Sequence, residues 1–326
     1  MRRINLDSFL KQVGARFREN YDDNGAILAT NLTRATVREL FAYKVLDTPW
    51  ANGDLISLDT SPPEGAQSVD WYMIKDVAPA GSSFVAPGGP FPRVDIAGEG
   101  HNNRAHTMGC SFGFELSELQ GWELQGLGGS LPEGKARAAR RFHDADLNDA
   151  IMRGVAALGI SGMINMPGSL QLQAGVVAGT TADWLDPLVT PNQITDTFEA
   201  LYSAIYDGSN GKLKPNTCVI PSKVATRLRR QNSLANGDSI ITWLRETFPE
   251  ITKWEIDPRM NTAGLGGTKA MLLYNRDKDM VWALMPQLLR PLPVYIKHQN
   301  TEQAFQSRYA GIACPYPTSV ALLSGV

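Results

Sequence analysis

Apolar positions at helical spacing recur along the chain and predict most of its helices. Leu6, Phe9, Leu10, Val13 and Phe17 share one stripe, with Asn5 or Asp7 available as N-cap, which predicts an amphipathic helix over 6–20. Val37, Leu40, Phe41 and Val45 predict a second over 33–46, ended by Thr48-Pro49 because a residue before proline avoids helical backbone. The longest predicted helix runs over about 132–158. Pro132 stands early in its first turn and Gly159 just past its end, while Ala136, Ala139, Phe142, Leu147, Ile151, Val155 and Leu158 make its inner stripe. Thr190-Pro191 opens another helix through Phe198, Leu201 and Ile205, and 222–231 and 238–248 continue the helical pattern.

Alternating or wholly apolar short runs predict strands at 67–74, 92–96, 217–220, 254–256, 270–274 and 280–285. The first two form an extended hairpin with a long Pro/Gly turn. The section 292–326 is β-rich, with Pro315 and Pro317 marking bends or edges. Residues 47–130 hold 13 glycines and seven prolines and sustain no period, which is linker composition. They also carry Trp50, Trp71, Tyr72, Phe84, Phe91, Phe112, Phe114 and Trp122, rings that need partner surface. An irregular stretch this long is uncommon in a compact domain. It reads as an extended arm whose apolar contacts lie on another subunit.

Composition narrows the class. With 326 residues, 43% hydrophobic and 20% charged, the chain has the make-up of a soluble globular protein of two domains, or one with large excursions. A net charge of −2 leaves no electrostatic footprint for tight nucleic-acid binding. Cys110, Cys218 and Cys314 are odd in number and widely spaced, which fits small buried residues in a reducing compartment. The first residues lack an apolar secretory core, and no window approaches 18 apolar residues, so synthesis in the cytosol is expected. The Asn31-Leu32-Thr33 sequon therefore carries no meaning.

Candidate chemistry is thin. Gly109-Cys110-Ser111-Phe112-Gly113 matches a nucleophile elbow, but HNNRAHTM before it is a poor buried strand, and only His143 or His298 follow as bases. A tight turn is the expected role. Gly129 to Lys135 matches a phosphate loop, yet Ala136 stands where Ser or Thr must hold magnesium and Pro132 removes an N–H. His101, His106 and Cys110 lie in a loop without a fourth ligand at standard spacing, and Gly264 to Gly267 reads as a flexible loop. The long helix is unusual: Lys135, Arg137, Arg140 and Arg141 crowd its first half and Asp144, Asp146 and Asp149 follow, against the helix dipole. This is either a solvated face or a set of charges meeting complementary groups on neighbouring subunits.

Taken in order, these segments resemble the tailed-phage major capsid proteins of the Hong Kong 97 capsid fold. Ser68-Val69-Asp70-Trp71, Ile74-Lys75-Asp76 and Pro92-Arg93-Val94-Asp95 are similar to the family's extended loop. Gly113 to Leu119, leading to Glu133 through Arg141, resembles the approach to its spine helix. Gly162 to Gly168 resembles the turn after that helix, and Pro221 to Arg230 with Phe248-Pro249 the axial domain. The resemblance spans about 40–326 and rests on order and spacing.

It implies an α+β chain with an N-terminal arm at 1–46 and an extended β-hairpin loop at 47–108. A peripheral domain follows at 109–189 with its spine helix over about 132–158, then an axial α/β domain at 190–290 and returning C-terminal strands at 291–326. The implied function is a structural, non-enzymatic subunit without cofactor or metal, which assembles through pentamers and hexamers into the icosahedral head around packaged double-stranded DNA, held only by weak non-specific contacts. A portal and possible decoration proteins are implied partners. The 46 residues before the loop are too few and too apolar for a fused scaffold, so a separate scaffolding protein is expected. Synthesis and assembly fall in the host cytoplasm and the product in the virion. Phe9, Phe17, Trp71, Tyr72, Lys75, Arg93, Arg137, Arg140, Arg141, Asp144 and Asn261 are the expected subunit-interface residues. Some capsids of this fold join Lys to Asn covalently, but nothing supports pairing Lys75 with Asn261. The alternatives are an encapsulin-type compartment shell and, in another class, a serine hydrolase using Ser111.

Overall fold

A computed structural model describes residues 48–77, 95–124, 131–174, 183–209, 211–230 and 239–326. The predicted helices at 6–20 and 33–46 and the hairpin tip at 78–94 lie outside them. In chain order the strands are β1 (Ser57–Asp59), β2 (Ser68–Val77), β3 (Asp95–Arg104), β4 (His106–Glu115), β5 (Gly154–Val155), β6 (Ile160–Ser161), β7 (Leu170–Gln173) and β8 (Thr217–Pro221). They continue as β9 (Lys253–Asp257), β10 (Ala270–Tyr274), β11 (Trp282–Leu284), β12 (Gln287–Pro291), β13 (Tyr295–Lys297), β14 (Asn300–Tyr309), β15 (Ile312–Ala313) and β16 (Val320–Ser324). The helices are α1 (Leu116–Leu124), α2 (Leu131–Arg153), α3 (Pro191–Gly208), α4 (Ser222–Leu228) and α5 (Ile240–Thr247). The described residues divide into two compact units, one within Cys110–Phe142 and Pro291–Phe305, the other within Thr48–Gly109, His143–Arg290 and Gln306–Val326.

The larger unit is built on a five-stranded sheet ordered β7-β16-β10-β8-β9. Its three inner strands, β16, β10 and β8, are buried throughout, so they read as continuous apolar runs, and alternate residues face opposite layers. Val219, Leu272, Tyr274 and Leu322 join a core with Trp50, Leu55, Ile151 and Met163. Cys218, Ile220, Met271, Leu273 and Leu323 join a second core with Phe198, Leu201, Val224 and Leu244 from the helices. Helix α3 starts with a full capping box, Thr190 and Gln193 each accepting the other's backbone N–H, and Pro191 in its first turn. Trp50 fixes the segment before β1. It is fully buried, its ring N–H donates to Asp257 at 3.1 Å, and its backbone N–H donates to Asn148 at 2.9 Å.

Two parts of the expected pattern are corrected here. The long helix is α2, Leu131–Arg153, not 132–158. Gly154 takes a left-handed φ of +73°, and the backbones of Gly154 and Gly162 touch, so that a Cβ on Gly162 would stand 2.2 Å from the Gly154 nitrogen. Carbonyls of the last turn are met by the returning chain, Met163 N–H donating to Ile151 and Ile164 N–H to Met152. The buried stripe also differs. Ala139, His143, Leu147, Ala150 and Ile151 are inside, whereas Phe142 is 71% exposed and Leu158 is exposed too. The helix ends obey the dipole after all, with Glu133 in the first turn and Arg153 in the last.

The second correction concerns 95–115. The expected strand at 92–96 and the loop after it are replaced by β3 and β4, each ten residues long. Residues His106 to Glu115 alternate half-buried and exposed, so Gly109 to Gly113 is strand and not a tight turn. The signal was period two, hidden because glycines and polar residues occupy the outward positions. In the smaller unit Phe112 stacks on Phe305 at 5.8 Å and the Cys110 thiol donates to the Ala139 carbonyl at 3.4 Å. A four-stranded sheet has the order β12-β14-β13, with β4 as its fourth strand, paired to β14.

Candidate functional site

The β2–β3 hairpin is paired over ten residues, from Ser68 opposite Arg104 to Val77 opposite Asp95. Its root is anchored in the larger unit. The Trp71 ring stacks on His101 at 4.2 Å, meets Trp282 edge-on at 6.1 Å, and its N–H donates to Asn103 at 3.2 Å. The Asn103 amide in turn donates to the carbonyls of Ala310 and Ile312 at 3.0 and 3.3 Å. Asn102 donates to Asp70 across the pair. Trp71 is thus held within its own subunit, while Tyr72, on the opposite face, is 75% exposed. Ile96 is exposed on the partner strand. A long strand pair fixed at its root presents apolar groups that the described residues leave exposed.

The charges of α2 separate into two sets. Lys135 is engaged, its ammonium lying 2.6 Å from Glu118 and donating to the Gly113 carbonyl at 2.9 Å. The hydrogen bond from Lys135 holds the Glu118 carboxyl below its usual range, against the opposing effect of desolvation. Arg137 pairs loosely with Glu133 at 3.4 Å, and Arg141 donates to the Arg137 carbonyl at 3.2 Å. Arg140 and Arg141 are exposed and make no ion pair among the described residues. With Phe142 beside them they form a basic, partly apolar outer surface. Asp144 sits 3.4 Å from His143 Nδ1.

Asn261 is tied down inside the larger unit, donating to Ser222 at 2.8 Å and Pro258 at 2.7 Å and accepting from Lys223 N–H at 3.2 Å. Lys75 occupies β2 opposite Ala97 in the backbone register; its side chain, with Phe9, Phe17 and Arg93, lies outside the described residues. Missed by the pattern reading were Val294, Tyr295 and Ile296, all exposed on or beside the three-residue edge strand β13. Three consecutive apolar residues after Pro293 resemble a buried strand by composition, and only their edge position reveals an open face.

The hydrolase geometry is not assembled. Ser111 is exposed in the middle of β4 with no strand-to-helix elbow. His143 does lie between Asp144 and Ser307, with Nε2 2.6 Å from the Ser307 hydroxyl. Ser307, however, is fully buried and also lies 3.4 Å from the Met108 carbonyl, so its hydroxyl is closed off from any substrate. Burial pushes the Cys314 thiol up to about 11 and the Cys218 thiol further, which makes both inert packing groups. Lys135, the last residue of the phosphate-loop match, lies in helix α2 and is spent on Glu118 of α1 and the Gly113 carbonyl of β4.

The fold with these surfaces defines a shell-building structural protein. The chain is similar to the capsid chain of Myoviridae phage XM1, with a TM-score of 0.72 at 17% identity, over 88% of this chain and 94% of that one. It is similar to a chain of Gordonia phage Cozz, with a TM-score of 0.58 at 9% identity over 87% and 88%. A virus-like particle from Pyrococcus furiosus gives 0.54 at 11% identity over 93% and 100%. No curated protein sequence matches the chain. The sequence profile of the family described as Major capsid protein matches residues 89–326, more than half of the chain, and the chain belongs to that family. It is a structural subunit of a capsid, with the Hong Kong 97-type fold that its segments resemble.

Proposed function

We propose that this chain forms the wall of a tailed-phage head around double-stranded DNA, guided by a separate scaffolding protein, completed by a portal and assembled in the host cytoplasm. It catalyses no reaction in doing so. The observation that carries the reading is the hairpin of ten paired residues, rooted by Trp71 and Asn103 and open on its Tyr72 face. Apolar groups left uncovered on an ordered projection mark an interaction surface. Repeated around five- and six-fold positions, such heterologous contacts close a shell. The partition assigned from the sequence is kept as part of this proposal: arm 1–46, loop 47–108, peripheral 109–189, axial 190–290 and returning strands 291–326. So are the interface roles of Tyr72, Arg137, Arg140, Arg141 and Asp144. A net charge of −2 suits a wall that must release its DNA, since a strongly basic lining would bind it in a steeply salt-dependent way.

The test is the particle size of the purified protein by analytical ultracentrifugation, with negative-stain microscopy of the fastest fraction. Megadalton shells, or rings of five or six, are expected. A species that stays small even with its scaffold supplied overturns the reading. The likeness to the Pyrococcus furiosus virus-like particle favours one second reading, a compartment shell, at a TM-score of 0.54. Nuclease-protected double-stranded DNA inside particles from the native source separates a phage head from a shell filled with protein cargo.

A further inference from the structure

A cavity of about 280 Å³ opens in the larger unit beside the C-terminal end of α2. Met108, Ala150, Val155, Leu158 and Ile160 give it apolar walls, and Asp146 and Asp149, one helical turn apart, add two carboxylates. Two further wall residues carry buried polar atoms with no hydrogen bond among the described residues, the Tyr309 hydroxyl and His106 Nε2. Tyr309 is only 3% exposed, and burial keeps its phenol protonated well above the ordinary range. An unpaired hydroxyl so deep is a destabilising feature that the described residues do not resolve.

All four polar groups can accept. Ionised carboxylates accept only, the phenol oxygen has free lone pairs, and a neutral imidazole accepts at whichever nitrogen lacks the proton. Donors are scarce. Arg153 lies 3.6 Å from Asp149 but also serves Thr262 at 2.8 Å, and Asp146 has no ion pair among the described residues. A bare metal ion does not suit the site, since no group of three or more His, Cys, Asp or Glu among the described residues is placed to hold one. A cavity with apolar sides and acceptors for its polar part matches an aliphatic stem tipped by several N–H donors, which is the side chain of arginine or lysine.

We propose that this cavity is a socket that receives an arginine or lysine side chain from a second copy of the chain in the assembled shell. Charge complementarity points to a second copy: the same chain carries exposed cations, Arg140 and Arg141, that make no ion pair among the described residues. A chain that bears both an exposed cation and an acceptor socket meets the condition for a heterologous contact that repeats from subunit to subunit. The inference rests on the shell reading above and adds the location and chemistry of one contact.

The test compares shells and unassembled subunits of wild type, Tyr309→Phe, and Asp146→Asn with Asp149→Asn, using Asp207→Asn on α3 as an exposed control. Tyr309→Phe removes only the oxygen. It should leave unchanged or raise the melting temperature of the free subunit, where the hydroxyl is unpaired, yet lower that of the shell, where it has a partner. The double variant should raise the threshold concentration for assembly roughly tenfold, while the control leaves it unchanged. A density map of the wild-type shell should place a neighbour's basic side chain between Tyr309 and the two carboxylates. Shells in which the socket holds solvent or its own chain's arm, or a double variant that assembles like wild type, overturn the proposal while leaving the shell reading intact. If sedimentation shows that wild type forms no shell, both fall together, and that outcome is read before any variant is made.

Discussion

Trp50 shows how one residue joins distant parts of this chain. Its ring lies 6.0 Å from Tyr274, its N–H reaches Asp257, and its backbone is held by Asn148 of α2. Trp50→Ala should therefore cost the larger unit about 3–5 kcal/mol in urea unfolding, chiefly through the cavity left behind. Gly162→Ala should fail for a different reason, because its Cβ would enter the backbone of Arg153 and Gly154. Loss of soluble folded protein is the expected readout, and a variant that melts like wild type would show that the two backbones can separate. The buried thiols give a pH prediction. Cys314 and Cys218 ionise near 9.0 when unfolded but stay protonated far higher in the fold, so their burial contributes fully below about pH 9. Stability should be flat near neutrality and fall as pH rises from 9 through 11, with a shallower fall in Cys314→Ala.

At the scale of elements, the α2 helix and the β2–β3 hairpin were legible in outline. Helix periodicity and Pro132 marked where α2 begins. Its end was misread, because Val155 and Leu158 continue the apolar period past Gly154, and only the close pass of Gly162 shows that the backbone must turn there. The strands β3 and β4 were less legible, since Gly98, Gly100, Gly109 and Gly113 occupy ladder positions that are normally β-branched. Gly100 has a visible use: a Cβ there would press on the Tyr72 ring at 3.1 Å. The tie from Lys135 to Glu118 and Gly113 joins α2, α1 and β4 in the smaller unit. Because the Glu118 carboxyl is held below its ordinary 4.5, the tie is complete above that pH and is lost as pH falls beneath it. Lys135→Met should remove this acid dependence, measured as hydrogen exchange in α1.

For the whole molecule, the proposed assembly contacts fall on exposed residues outside the folding core. Arg140→Glu with Arg141→Glu changes exposed side chains that make no ion pair among the described residues, so the subunit should melt within about 0.5 kcal/mol of wild type. Assembly should nevertheless be blocked, as read by sedimentation, and normal shells would reduce these arginines to a solvated face. Ile296→Lys on the exposed edge strand β13 should behave likewise, since an edge lysine discourages pairing with another chain. A variant of either kind that unfolds the subunit would mean the residue packs inside its own chain.

The sequence by itself determined the α+β class, the inner strands of the central sheet and the family resemblance, because continuous apolar runs and helical stripes are local signals that tertiary packing amplifies. Its expectation that the rings of the 47–130 segment meet another subunit fails for Trp50, Trp71 and Phe112, which pack within their own chain. Only the tertiary structure decided that Trp50 and Trp71 turn into their own subunit while Tyr72 turns out. Neighbouring residues on a strand face opposite sides, and which side is covered depends on His101, Trp282 and Tyr274, all distant in sequence. The socket at Tyr309 is decided in the same way, since it draws on β4, the end of α2 and β14, segments that come together only when the chain folds.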